Sequence, residues 1–150
     1  MYQKLLGTEH PDVASSLNNL AYLYNNQGRY EEAEPLYTQA LQMTQKLLGN
    51  EHPYVASSLN NLAALYDNQG RYEEAEPLYT QALQMTQKLL GNEHPFVASS
   101  LNNLALLYYN QGRYEEAKSN LKQALKIVEV VLGPEHPSTR TMRNNLESIP

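Results

Sequence analysis

The 150-residue chain has no cysteine, no tryptophan and a single phenylalanine. Without cysteine there is no disulfide framework and no thiolate metal site, which fits a cytoplasmic protein stabilised by packing. No apolar run approaches the ~20 residues needed to span a bilayer. The opening MYQKLLGTEHP lacks an apolar stretch and a small-residue cleavage site, so no secretory signal is expected. Basic residues number 11 against 16 acidic ones, for a net charge of −5, and no Lys/Arg cluster stands out. That balance argues against nucleic acid and anionic membranes as partners. HExxH, P-loop and GxGxxG patterns are also missing, and with them the common metal and nucleotide sites. No cofactor is expected.

What the chain does have is repetition. The block LLGTEHPDVASSLNNLAYLYNNQGRYEEAEPLYTQALQMTQK at 5–46 returns at 47–88 with four changes: Thr8 to Asn50, Asp12 to Tyr54, Tyr22 to Ala64 and Asn25 to Asp67. A third copy, 89–130, follows closely up to Ala117 and then diverges, and a partial fourth runs from 132 to 146. Self-similarity at a fixed period on this scale means a solenoid or a propeller.

Each period reads as two helices. In the first, Val13, Leu17, Leu20, Ala21 and Tyr24 recur at helical spacing. Pro11 suits the first helical position, where its missing N–H costs nothing, and Gly28 is free to end the helix at positive φ. The second begins near Tyr30, with Glu31 and Glu32 against the positive end of the helix dipole. It buries Ala33, Leu36, Tyr37, Ala40 and Leu41 and stops at Gly49. Pro35 and Pro77 are expected to bend the second helices only mildly. No alternating β-branched segment occurs, so a propeller is excluded and an all-α solenoid of antiparallel helix pairs follows.

The string Leu20-Ala21-x-x-Tyr24, Gly28-x-Tyr30, Ala33-x-x-x-Tyr37 and Ala40 resembles the tetratricopeptide repeat, whose usual period is 34 residues. The eight extra residues amount to about one turn on each helix. The string EHPxVA…LNNLAxLY…QGRYEEAEPLY is similar to the longer repeats of kinesin light chains and their bacterial relatives. The chain departs from the family pattern where Leu17 replaces the early aromatic, Ala21 the small glycine and Gln45 the terminal proline. The resemblance implies a right-handed superhelix of seven main helices, the last a capping helix at about 137–148, forming one domain over 1–150. Residues 1–4 would be the remnant of an upstream helix. It further implies that the first helices line a concave groove and that the protein binds others without catalysis.

One feature of the first helices is unusual. Ser15, Asn18, Asn19, Tyr22, Asn25 and Asn26 form a stripe about 120° wide on a helical wheel. The stripe carries Ser and Asn where an ordinary wet face would carry Glu, Lys or Arg, which form helices better. Asparagine offers two donors and an acceptor to a passing peptide backbone. The equivalents are Ser57, Asn60, Asn61, Ala64, Asp67 and Asn68 in the second copy, and Ser99, Asn102, Asn103, Leu106, Tyr109 and Asn110 in the third. The expected site is therefore a near-neutral peptide groove: an asparagine ladder with Tyr22, Leu106 and Tyr109 as apolar anchors and Asp67 as its one charge.

The other chemistry-bearing residues point to structure. The four histidines, His10, His52, His94 and His136, each precede a proline and occur once per repeat, so helix capping outweighs metal binding. Ser119-x-x-Lys122 is solitary and lacks its partner motifs. Thr139, Arg140, Arg143 and Glu147 replace core residues in the partial fourth copy, as in a capping helix with a wet outer face. The opposite end looks uncapped, which predicts weak self-association there. A structural, self-assembling array without a dedicated ligand is the alternative to a binding scaffold.

Overall fold

The computed structural model describes residues 10–150, which form seven helices and no strand. The expected helix remnant at 1–4 and the Thr8 difference lie outside the described residues. The helices are α1 (Pro11–Asn26), α2 (Tyr30–Leu48), α3 (Pro53–Asn68), α4 (Tyr72–Leu90), α5 (Pro95–Asn110), α6 (Tyr114–Val131) and α7 (Pro137–Glu147). The chain divides into two compact units, with the boundary at Ala82/Leu83 inside α4.

Local chemistry sets the helix ends. Each first helix opens with proline, and the histidine before it is the N-cap. The imidazole Nδ1 of His10 accepts the N–H of Asp12 at 3.1 Å, and its carbonyl takes the N–H groups of Val13 and Ala14. His52, His94 and His136 cap Tyr54, Phe96 and Ser138 in the same way, each at 3.1 Å. The capping role expected for the Glu-His-Pro triplets is thus carried by the imidazole itself. At the other end, Gly28 sits at φ 75°, where a side chain would be strained, and the chain turns directly into α2. Arg29 then lies over the Tyr24 ring at 4.1 Å and bonds Glu32, fixing the corner. Pro35 occupies the sixth position of α2, past the free first-turn N–H groups, since the N–H of Ala33 already bonds the Arg29 carbonyl at 3.1 Å. The helix nonetheless runs unbroken to Leu48.

In the first unit, α1 and α2 meet through alanines. Ala21, Ala33 and Ala40 are all 0% exposed, which lets the two backbones approach closely. Leu62 and Leu65 of α3 join Ala21, Ala33 and Tyr37 in one cluster, and Val13, Ala14 and Met43 form another with Leu17 against them. Burying a side chain such as Leu65 or Tyr37 contributes roughly 1.5–3 kcal/mol. Thr44 is buried too, its hydroxyl donating to the Ala40 carbonyl at 2.7 Å.

In the second unit the core joins Val97, Ala98, Leu101 and Ala105 of α5 to Ala117, Leu121, Ala124 and Val128 of α6, closed by Met142 and Ile149. One expectation is corrected here: Thr139 does not belong to the wet face of α7. It is 0% exposed, and its hydroxyl donates to the Gly133 carbonyl at 2.7 Å. Threonine is close to the shape of the valine at this register in other copies, and the turn supplies the acceptor its hydroxyl needs. Arg140 and Glu147 are exposed, while Arg143 is half-buried and reaches Glu129 at 3.4 Å.

Candidate binding surface of the first helices

The stripe read from the sequence resolves into two kinds of amide. Ser15, Asn19, Tyr22 and Asn26 are exposed on α1, and Tyr22 keeps 61% of its surface. Asn25 is different: it is buried at 7% exposure. Its Oδ1 accepts from Asn68 Nδ2 at 3.0 Å, and its side chain also hydrogen-bonds Tyr37. Burial raises the Tyr37 pKa above its usual value, and the Asn25 bond partly opposes that. Asn25 therefore joins neighbouring first helices instead of facing a groove. The missed signal was the i+4 step from Ala21 to Asn25, which continues the buried face.

The second copy places Asp67 where the first has Asn25. Asp67 is half-buried, and its charge adds to burial in raising the pKa of Tyr79. On α3, Ser57 and Asn68 are exposed, while Asn60, Asn61 and Ala64 are half-buried. The arginine corner is stronger here. Arg71 lies over Tyr66 at 4.2 Å, bonds Glu74, and reaches Glu34 of α2 at 3.1 Å. Glu34 also accepts the Tyr66 hydroxyl at 3.0 Å.

Asn18 and Asn60 share a further property. Among the described residues, their Oδ1 atoms are the buried side-chain oxygens left without a hydrogen-bond partner. An acceptor held that way costs roughly 1–3 kcal/mol. The same register in the third copy shows what satisfies it: Asn102 Oδ1 accepts Asn145 Nδ2 at 3.2 Å.

Within the first unit, Ser15, Asn18 and Ser57 share a cavity of about 380 Å³ between the starts of α1 and α3 and the end of α2. In the second unit, Leu106 and Tyr109 line a smaller cavity of about 110 Å³ with Leu121, Asn145 and Ile149. Leu106 and Tyr109 remain 40% and 39% exposed, and the Tyr109 ring stands 5.4 Å from that of Tyr114. Ser99 and Asn110 are exposed and Asn103 is half-buried. Among the described residues no group of three or more His, Cys, Asp or Glu could hold a metal ion.

Helix pairs with alanine contacts, a glycine turn and a 42-residue period define an all-α helical-repeat solenoid. The tetratricopeptide repeat model matches residues 1–46, 12–88, 66–129 and 96–149, and the chain belongs to that family. Solved structures place it near the kinesin light chain-like members. A putative kinesin light chain from Podosopora anserina, with nearly identical repeats, is 34% identical with a TM-score of 0.82, over 92% of this chain and 65% of that one. BtubC (BKLC) from P. vanneervenii is 30% identical with a TM-score of 0.78, over 91% of this chain and 55% of that one. The chain thus spans less than two thirds of either relative. The first repeat domain of Spaghetti (RPAP3), bound to the HSP90 peptide SRMEEVD, shares the fold at 19% identity and a TM-score of 0.61, over 93% of this chain and 98% of that one. No curated protein matches the sequence.

Proposed function

We propose that the protein is a non-catalytic scaffold that holds a partner's peptide segment against its first helices. One observation carries the reading: the Oδ1 atoms of Asn18 and Asn60 are acceptors without a partner, which a turn of the amide about its terminal torsion brings toward a donor at the surface, whereas the Asn102 acceptor is closed by Asn145 of α7. A peptide backbone supplies that donor at regular intervals. Each unit offers its own apolar anchors, Tyr22 in the first and Leu106 and Tyr109 in the second, and the preferred segment is near-neutral overall. Family membership and the peptide bound to the Spaghetti domain support a protein or peptide partner. A cytoplasmic setting belongs to the same proposal. No helix among the described residues is long and apolar enough to cross a membrane.

The test is a ligand selected from a random peptide library, measured against the Asn18→Ala/Asn60→Ala double variant. The variant is expected to bind at least tenfold more weakly while melting no lower, because it removes two unsatisfied acceptors. Unchanged affinity would sink the reading. A second reading, a self-assembling array, is favoured by Leu20 and Leu23 of α1, which stand 40% and 50% exposed. It predicts concentration-dependent mass in light scattering that Leu20→Ser/Leu23→Ser abolishes; a monomer at high concentration removes it.

A further inference from the structure

The 380 Å³ cavity of the first unit combines Asn18 of the peptide reading with two residues that reading does not use. Asp12 and Tyr54, the two residues at one of the four positions that distinguish the first two copies, both line it. They occupy the same register in successive copies, yet one supplies a carboxylate and the other an aromatic ring.

Helix starts usually favour anions, because their first N–H groups are free. These two starts are not free. Pro11 and Pro53 have no N–H, the next N–H bonds a histidine Nδ1, and the following two bond that histidine's carbonyl. What remains on the walls is mainly acceptor: the Asp12 carboxylate, the hydroxyl oxygens of Ser15 and Ser57, and the Asn18 amide. Ser57 already uses its proton on the Pro53 carbonyl at 3.3 Å. Asn18 Oδ1 is turned in without a partner, so no bond from that oxygen holds its rotamer, and the soft terminal torsion can turn it outward. The end of α2 adds the negative pole of its dipole beside Thr44 and Leu48. Among the described residues no Lys or Arg lines the cavity, and Lys46, in the last turn of α2, lies outside it.

We infer that this cavity is a subsite for a guanidinium, in practice an arginine side chain of the bound segment. The protein shows the same arrangement three times internally: Arg29, Arg71 and Arg113 each stack on a tyrosine ring and bond a glutamate. Tyr54 and Asp12 offer that pair, ring and carboxylate, without an arginine of their own in the cavity. Guanidinium suits it better than ammonium, since it stacks flat and carries five donors for the dispersed acceptors. The subsite rests on the peptide-groove reading only for the rest of the segment.

The probe is N-acetylarginine methylamide, titrated into the ¹⁵N-labelled protein, with the citrulline and norleucine analogues as controls. The arginine probe shifts the amides of Asp12, Ser15, Asn18 and Tyr54, and binds about tenfold tighter than either control, the loss expected for charge-assisted bonds. Asp12→Asn, at an exposed position whose backbone cap is unchanged, weakens it roughly fivefold. Equal binding of citrulline, or an arginine response indifferent to Asp12→Asn, overturns the assignment. Peptide probes separate the two readings. If longer peptides shift Asn60 and Asn61 while the arginine probe leaves the cavity unmoved, the subsite falls and the groove stands. If the arginine probe fills the cavity and no peptide reaches Asn60 or Asn61, the groove falls and the subsite stands.

Discussion

Helices α1 and α3 are nearly the same sequence in different surroundings. They differ only at positions 12/54, 22/64 and 25/67. Yet Leu20 and Leu23 are 40% and 50% exposed, whereas Leu62 and Leu65 are 6% and 0%. The cause is the neighbour: Ala33 and Tyr37 of α2 pack on Leu62 and Leu65, and no described helix does so on that face of α1. Helix α7 shows the converse. Its Thr139 and Met142, with Ile149 just beyond its end, keep the face turned to the preceding helix, while the register of Ala14, Leu17 and Ala21 is filled by Arg140, Arg143 and Glu147. A first helix in this fold therefore has two separable apolar faces, one for its own partner and one for the preceding pair.

The largest test of that separation is a matched pair of leucine truncations. Leu65→Ala is expected to cost about 2–5 kcal/mol in urea unfolding, and Leu23→Ala less than about 0.5 kcal/mol. Similar losses would mean that α1 has a partner on that face in solution. Next comes the buried amide. Asn25→Ala strands Asn68 and Tyr37 and should cost roughly 1–3 kcal/mol, while exposed Asn26→Ala is near neutral.

The Asn25/Asp67 difference predicts a pH effect. Tyr79 has its pKa raised, first by burial and then by Asp67, so the folded state keeps its proton longer than the unfolded chain does. That contribution is intact below the usual tyrosine value near 10 and is lost as pH rises beyond it. Stability should therefore fall in the alkaline range, and Asp67→Asn should flatten the fall. An unchanged alkaline profile in that variant would show that Asp67 is too well screened to matter. The smallest expected effect concerns the arginine corners. Arg71→Ala should lower the melting temperature more than Arg29→Ala, since Arg71 also holds Glu34 of the preceding pair.

Much of this architecture is legible in the sequence because its signals are local. Pro11, Gly28 and Gly49 bound two helices that the structure places at Pro11–Asn26 and Tyr30–Leu48. Histidine capping was readable for the same reason. Exposure was not. Leu20 and Leu62 sit in one sequence context, and only the next helix distinguishes them. Asn25 and Asn18 share a stripe on a wheel, but one bonds Asn68 across helices and the other has an oxygen with no partner. The cavity at Asp12 and Tyr54 joins positions 42 residues apart, a relation that a wheel drawn for one helix cannot display.

The inter-helix amide bonds carry a consequence for how such a chain can grow. Asn25 to Asn68 and Asn102 to Asn145 each span 43 residues, one more than the period. The acceptor is the first residue of an Asn-Asn pair, and the donor is the second residue of the next pair or of its Asp67-Asn68 equivalent. A single asparagine per repeat, bonded in register, would have to serve both roles with one amide. The doublet separates plug from socket, so a duplicated block arrives with both halves of its joint; at Asn25 the halves meet, whereas Asn18, with Asn61 at the same spacing, keeps its acceptor unpartnered.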